Sequence, residues 1–356
     1  MKPRDAFHAL MSFEKPDTLC QFEWGYWDET VRRWRGEGLP EGVNPWDDCG
    51  IIHYFRPPMN RRYYPEFEKK TLEDDADSRI VQNEFGVILR ENKRGMSLPQ
   101  FLKHPVSNRD DFEKIKERLN PEAPGRYGAD WDQWAAWSRE APHLICVGTR
   151  ENGFFGWFRE LMGLESLLTS YVDQPELIHE MCRFHLDYLK RLAVKTMREV
   201  KLDFVFMWED MSYKNGPLIS PAFFREFMLP YYKEIVDFYK QMGARWVTVD
   251  SDGDVTQLIP LFVEAGIDGL LPFEVAAGMD VMKIREAFPK LLILGGIDKR
   301  ALALGRDAID AELESRLPGM LRQGGYLPTL DHHVHPEVPY ANFKYYLAKC
   351  RELYKA

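Results

Sequence analysis

The chain has 356 residues, of which 45 % are hydrophobic and 29 % are charged, and its formal net charge is −9. This acidity argues against a nucleic-acid-binding surface, which would need a basic stripe. No run of eighteen apolar residues occurs, so the sequence predicts no membrane span.

The five cysteines are scattered and form no C-x-x-C pair, which is typical of reduced thiols. The start of the chain lacks the pattern of a signal peptide. A cytoplasmic location is therefore expected.

The elements of the first third are irregular. Parallel strands are expected at Thr18–Phe22 and, further along, at Leu144–Gly148, and a β-hairpin is expected over Ile80–Leu89 with its turn near Gly86. No linker or internal repeat divides the chain, so one domain over residues 1–356 is predicted.

The second half alternates between short apolar runs and amphipathic helix-length segments, the pattern of repeated βα units. Each run is about five residues long and uniformly apolar, as in parallel strands that are buried on both faces. The predicted strands are Phe204–Trp208, Arg245–Val249, Gly269–Leu271, Leu291–Leu294 and Tyr326–Leu330. This rhythm favours a (β/α)8 barrel or a doubly wound sheet, and for a chain of this length we prefer the barrel.

Acidic or imidazole side chains follow six of the predicted strands. A single acid after a strand can equally cap the next helix, but six together favour an active site at the carboxyl ends of the strands. Asp250 and Asp252 share one turn, where their repulsion requires a proton or a cation, and this favours function over capping. We expect Asp252, Glu209 and Asp210 to be catalytic.

A metal site is one interpretation of the same strand ends. The segment 331–336 (DHHVHP) holds three histidines, and its plain interpretation is a solvated loop with one buried imidazole. The sharper interpretation is that Asp250, Glu274 and His332 bind zinc, because imidazole and carboxylates with an open position are typical of catalytic zinc sites. The spacing matches no local zinc motif.

Substrate contacts are expected from an aromatic block at the end of the first predicted strand and from polar groups at later strand ends. Exposed rings there would stack on a flat substrate, although core packing would also explain them. The predicted substrate-binding residues are Glu23, Trp24, Tyr26, Trp27, Arg150, Trp208 and His333. Phosphate-loop, dinucleotide and serine-hydrolase motifs are missing from the sequence, which argues against kinases, dehydrogenases and serine hydrolases.

Several segments of the second half resemble the uroporphyrinogen decarboxylase superfamily. They are 219–231 (ISPAFFREFMLPY), 249–260 (VDSDGDVTQLIP), 266–269 (GIDG), 294–299 (LGGIDK) and 324–332 (GGYLPTLDH). The similarity covers roughly residue 144 to the C-terminus. It implies a (β/α)8 barrel, in agreement with the pattern of strands, and an enzyme that is often a homodimer.

The superfamily has two main branches, and the chain departs from the motifs of both. The decarboxylases carry an Arg-Gln-Ala-Gly-Arg motif that grips substrate carboxylates, where this chain has 23–27 (EWGYW). The corrinoid-dependent methyltransferases that act on thiols carry His-x-Cys and a later Cys, where this chain has 250–252 (DSD) and 331–332 (DH). An oxygen- and nitrogen-rich site suits activation of an ether oxygen better than activation of a thiol.

The resemblance and the residues together favour a methyltransferase component. It would demethylate a small methyl ether or related donor, for which an aromatic ring is one option, and pass the methyl group to a corrinoid carried by a partner protein. Two alternatives stay open. One is a decarboxylase that acts on a tetrapyrrole or a smaller carboxylic acid, and the other is a non-catalytic protein that binds corrinoid or tetrapyrrole.

Overall fold

A computed structural model describes residues 1–93 and 99–355. Its strands are β1 Tyr54–Phe55, β2 Lys70–Asp74, β3 Ser78–Gln82, β4 Ile88–Asn92, β5 Gln100–Lys103, β6 Leu144–Val147, β7 Phe204–Trp208, β8 Ser212–Tyr213, β9 Gly216–Pro217, β10 Val247–Asp250, β11 Gly269–Leu271, β12 Leu292–Leu294 and β13 Tyr326–Leu327. The single-domain prediction over residues 1–356 stays a prediction, and residues 94–98 and 356 lie outside the described part.

Fifteen α-helices are found in the described ranges. They are α1 Pro3–Met11, α2 Asp28–Gly36, α3 Pro45–Cys49, α4 Arg109–Arg118, α5 Trp131–Glu140, α6 Phe155–Met162, α7 Leu164–Asp173, α8 Pro175–Glu199, α9 Pro221–Phe223, α10 Leu229–Gln241, α11 Ile259–Glu264, α12 Val281–Ala287, α13 Lys299–Leu304, α14 Arg306–Gln323 and α15 Tyr340–Lys355. A π-helical stretch, Phe224–Met228, joins α9 to α10, and 3₁₀ turns lie at Arg150–Asn152 and Val275–Ala277. None of the described helices is long and apolar enough to cross a membrane.

The main sheet is a curled parallel sheet of seven strands in the order β1-β6-β7-β10-β11-β12-β13. Its pairs run in sequence, for example Val249 beside Met207 on one side and Leu270 on the other. Because each strand is followed by one or more helices, the apolar runs are covered on both faces, as the sequence pattern predicted. Five predicted strands of the second half are confirmed, with small differences at their ends.

The prediction of the first strand is wrong. Residues Thr18–Phe22 form no strand, and the short β1 takes the position beside β6 instead. Segment 18–26 makes isolated backbone hydrogen bonds, from the amide of Ile52 to Gln21 and from the amide of Val334 to Gly25, and not a continuous ladder. Seven parallel strands are therefore present in the described residues, where eight were predicted.

A second, antiparallel sheet of β2, β3, β4 and β5 is inserted before β6. It contains the predicted hairpin, whose strands β3 and β4 pair around a turn with Gly86 at a φ of +75°. Glycine adopts this left-handed conformation without the steric cost that a side chain would add.

Local sequence signals explain several helix ends. The Ser220 hydroxyl accepts a hydrogen bond from the amide of Phe223 at 3.1 Å, so that Pro221 stands in the first helical position. Asp280 caps α12 in the same way, and Gly266 follows α11 at a φ of +88°.

Helix α1 closes the base of the main sheet, at the amino ends of its strands. Its Arg4 guanidinium donates to the buried Asp203 carboxylate at 2.9 Å and to two backbone carbonyls of the α5 region. His8 lies 2.5 Å from the same carboxylate. Helix α1 does not cover the other end of the sheet, where the carboxyl ends of the strands lie.

Candidate active site

A cavity of about 390 Å³ lies at the carboxyl ends of the parallel strands. This is the edge at which barrel-type α/β enzymes place their catalytic groups. Its lining residues are Trp24, Trp27, Tyr54, Arg56, Arg150, Phe206, Trp208, Asp210, Asp250, Asp252, Leu271, Pro272, His332 and His333. The predicted position of the site is therefore occupied by a cavity with mixed aromatic and charged walls.

Carboxyl groups from two neighbouring strands form one side of the cavity. Asp250 ends β10 and Asp252 follows it, while Asp210 lies beyond β7. Burial of the Asp250 carboxyl, together with the charges of Asp252 and Asp210, raises its pKa well above the usual value. The protonated form of Asp250 is therefore favoured more than in an ordinary aspartate, which suits a proton donor.

Asp210 is held by an arginine. Its φ of +44° is unusual for a residue other than glycine. The Arg159 guanidinium donates to the Asp210 carboxylate at 2.6 Å and to its backbone carbonyl at 2.9 Å. This contact leaves Asp210 less suited to proton transfer than Asp250, because its carboxylate already has a cationic partner.

The histidines face the carboxylates across the cavity. His332 Nε2 lies 3.6 Å from the Asp252 carboxylate, and the Trp27 ring is stacked on His332 with centroids 6.1 Å apart. The nearby Asp252 carboxylate raises the pKa of His332, whereas burial and the neighbouring His332 lower the pKa of His333. At neutral pH the two adjacent imidazoles therefore differ in their tendency to carry a proton.

Aromatic rings form the remaining walls. Trp24 packs edge-on against Tyr54 with centroids 5.9 Å apart and lies 6.2 Å from Phe206. The Trp208 ring lies beneath two guanidinium groups, those of Arg150 at 4.9 Å and Arg159 at 5.3 Å. Rings in this arrangement can contact both faces of a flat ligand.

Nine of the predicted site residues come together in this cavity: Trp24, Trp27, Arg150, Trp208, Asp210, Asp250, Asp252, His332 and His333. The other predicted residues lie behind its wall. Tyr26 packs against Trp46, with centroids 4.6 Å apart. Glu274 accepts a hydrogen bond from the amide of Gly253 at 3.0 Å.

Glu209, which was predicted to be catalytic, does not line the cavity. It is fully buried, and its carboxylate accepts hydrogen bonds from the amides of Phe154 at 2.8 Å and Gly156 at 2.9 Å, and from the Tyr232 hydroxyl. Burial raises the pKa of Glu209 to about 7. Glu209 therefore anchors the start of α6. Helix capping was the alternative to catalysis for an acidic residue after a strand.

Glu23 also does not line the cavity. Its buried carboxyl accepts from the amide of Leu330 at 3.0 Å and from the Tyr346 hydroxyl at 2.8 Å. Burial raises its pKa to about 8. Through Tyr346, Glu23 links the N-terminal segment to α15.

The predicted zinc ligands are not arranged as a metal site. Within residues 1–93 and 99–355, no group of three or more His, Cys, Asp and Glu side chains is placed to hold a metal ion. Glu274 is turned towards the Gly253 amide and towards Lys299, whose Nζ lies 3.8 Å away, while His332 is directed to Asp252. Asp250, Glu274 and His332 therefore do not fit a zinc ion in this geometry.

Arg56 is the main cavity residue that sequence analysis missed. It follows β1 directly, and its guanidinium lies 5.3 Å from the rings of both Tyr54 and Phe206. Arg56 could have been recognised because it directly follows a strand. The first strand, however, was predicted at Thr18–Phe22 instead of Tyr54–Phe55. The cavity wall consequently carries more positive charge than the sequence analysis predicted.

Comparison with known proteins agrees with this architecture. The family model for uroporphyrinogen decarboxylase (URO-D) matches residues 77–353. The chain belongs to the uroporphyrinogen decarboxylase family. A solved structure described as a methyltransferase from Methanosarcina mazei has a TM-score of 0.62 to this chain at 15 % sequence identity, with 100 % of each chain covered. At this identity the likeness concerns the fold. A search of curated protein sequences found no significant match.

Proposed function

We propose that this member of the URO-D family is a methyltransferase that removes the methyl group of a small aromatic methyl ether and passes it to a corrinoid carried by a separate protein. The observation that carries the proposal is Asp250, a carboxyl group crowded by two other carboxylates at the edge of an aromatic-walled cavity. The shared fold with a methyltransferase supports the same choice.

Cleavage of an aryl methyl ether requires a proton at the leaving oxygen. The corrinoid of the partner protein would serve as the nucleophile that accepts the methyl group, and the electrons of the broken carbon–oxygen bond would remain on the oxygen. A phenol forms when that oxygen takes one proton. Asp250 lines the cavity and would donate it, since its raised pKa favours the protonated carboxyl.

The pair of Asp252 and His332 would return the proton to Asp250. The Asp252 carboxylate holds His332 Nε2 at 3.6 Å and stabilises the protonated imidazole. Trp27, stacked on His332, limits the orientation of the ring. No step in this scheme uses zinc, because the donor side chains do not converge on a common point.

The cavity size favours a single-ring substrate over a tetrapyrrole. A volume of about 390 Å³ lies near the lower end of the range for small-molecule sites, roughly 300–1,000 Å³. Trp24, Phe206 and Trp208 would contact the substrate ring. We further propose that segment 21–26 completes an eightfold barrel between β1 and residue 334, which its hydrogen bonds to Ile52 and Val334 support.

An anaerobic assay with free cob(I)alamin tests the function without the partner protein. Purified enzyme and 2-methoxyphenol should convert the cob(I)alamin absorption spectrum to that of methylcobalamin and release catechol. Asp250→Asn should reduce the rate by about 10²- to 10⁴-fold, because it removes a general acid. Asp307→Asn, the same change at an exposed site on α14, is the control. If a panel of methyl ethers yields no methylcobalamin with the wild-type protein, the proposal is refuted.

Decarboxylation is the second candidate, and the arginines at the cavity favour it. Arg56 and Arg150 could hold a substrate carboxylate, and Asp250 could protonate the carbon from which carbon dioxide leaves. This function predicts release of carbon dioxide from a hydroxylated benzoic acid with no corrinoid present. A non-catalytic binding protein would show neither reaction, and its ligand affinity would not depend on the Asp250 proton.

A further inference from the structure

We propose that Arg56 is a specificity-determining residue that selects substrates whose ring bears a carboxylate. This inference rests on the proposed function, since it names the class of methyl ether, methoxylated aromatic acids, that the cavity takes. It arises from the charge distribution around the cavity, from an arginine without a carboxylate partner and from an indole donor that has no acceptor.

The Arg56 guanidinium is exposed to the cavity and has no anionic partner of its own. In the described part of the chain, no carboxylate oxygen lies within 4.0 Å of it, whereas Arg159 is bound to Asp210 and Arg150 lies 3.5 Å from Glu160. Among the described residues, its guanidinium lies over the rings of Tyr54 and Phe206. A planar guanidinium of this kind is suited to bind a carboxylate through two parallel hydrogen bonds.

An indole donor beside Arg56 lacks a hydrogen-bond acceptor. Trp24 lines the same cavity and is 9 % exposed, and its indole Nε1 has no hydrogen-bond acceptor among the described residues. Tyr54 connects the two residues, because its ring contacts both side chains and its hydroxyl donates to the Trp24 carbonyl at 2.9 Å. A buried donor without a partner is costly, so an acceptor on the ligand would relieve that cost.

The positive region and the carboxylates lie at different strand ends around one cavity, and the charge of Arg56 acts to lower the pKa of Asp250. Arg56 follows β1 and Arg150 follows β6, whereas Asp250 and Asp252 lie at the end of β10, three positions along from β1 in the sheet. The cavity that joins the two regions has aromatic walls. A ring that binds between them would place its carboxylate at Arg56 and its methoxy group towards Asp250, which needs an oxygen to protonate.

Binding of benzoate and benzamide tests the subsite separately from methyl transfer. The two probes have nearly the same shape and differ in charge, and neither carries a methyl group. Calorimetry should show that wild-type protein binds benzoate more tightly than benzamide. Arg56→Gln should weaken benzoate binding by about ten- to a hundredfold and leave benzamide binding unchanged, as expected for loss of hydrogen bonds to a charged group.

Two further variants make the result specific. Arg56→Lys retains the charge and should restore part of the preference for benzoate. Arg32→Gln removes an exposed arginine that pairs with Glu29 on α2, and it should behave as wild type. Equal affinity of the wild-type protein for the two probes, or benzoate binding that does not change in Arg56→Gln, overturns the inference.

The outcomes also separate this inference from the proposed function. With 3-methoxybenzoate and 3-methoxybenzamide as methyl donors, Arg56→Gln should raise the KM for the acid alone. Arg56-dependent binding of benzoate without any methyl transfer would refute the proposed function and retain the anion subsite. Equal methyl transfer from the acid and the amide, with equal binding of the two probes, would refute the subsite and retain the function.

Discussion

The carboxyl group of Glu23 should make the protein less stable as the pH rises towards 8. Buried between the amide of Leu330 and the hydroxyl of Tyr346, it has a pKa of about 8 when folded, against a usual value of 4.5. A carboxyl whose pKa is raised by folding stabilises the native state fully below the unfolded value. That contribution is lost as the pH rises through the window from about 4.5 to about 8, because the unfolded chain releases the proton first.

The magnitude follows from the size of the pKa shift. Each unit corresponds to about 1.4 kcal/mol, so the full loss is on the order of 5 kcal/mol. Glu23→Gln replaces the protonated carboxyl with a neutral group of the same shape. It should match the wild-type free energy of unfolding near pH 4.5, and its advantage over the wild type should grow steadily up to pH 8.

Guanidinium denaturation of both proteins at half-unit pH steps measures this difference. Glu286→Gln, the same change at an exposed position on α12, controls for the loss of one negative charge. Glu209, whose pKa is also raised, contributes equally to the wild type and the variant and cancels in the comparison. A difference between wild type and Glu23→Gln that stays constant from pH 5 to pH 8 would refute the reasoning.

Three further changes have defined outcomes. Gly153→Ala should lower the melting temperature strongly, because a Cβ there would lie 1.9 Å from a backbone oxygen of β7, whereas Gly36→Ala, with open space around it, should have little effect in the same thermal scan. Arg4→Met leaves a buried carboxylate without its cation and should cost about 3–5 kcal/mol of unfolding free energy, measured by denaturation. Asp252→Asn should lower the pKa of His332, which an NMR titration of the imidazole protons would detect, and an unchanged titration would show that the two side chains do not interact.

Much of the sheet and part of the site could be predicted from local pattern. Uniformly apolar runs such as Phe204–Trp208 and Gly269–Leu271 are strands with the predicted bounds, because burial on both faces leaves a continuous signal in the sequence. The carboxyl ends of parallel strands meet at one edge, so Asp250, Asp252 and His332 could be expected together before any coordinates were known.

Tertiary structure alone decided which strand-end residues face the cavity. Strand β1 has two residues, too few for a periodic pattern, so Arg56 was not recognised as a strand-end residue. Adjacent residues point in opposite directions, and the same turn that presents Asp210 to the cavity directs Glu209 to the start of α6. Composition and spacing therefore determined the edge of the sheet where the site lies, whereas packing against distant segments determined its charge, since the direction of each side chain depends on partners far away in the sequence.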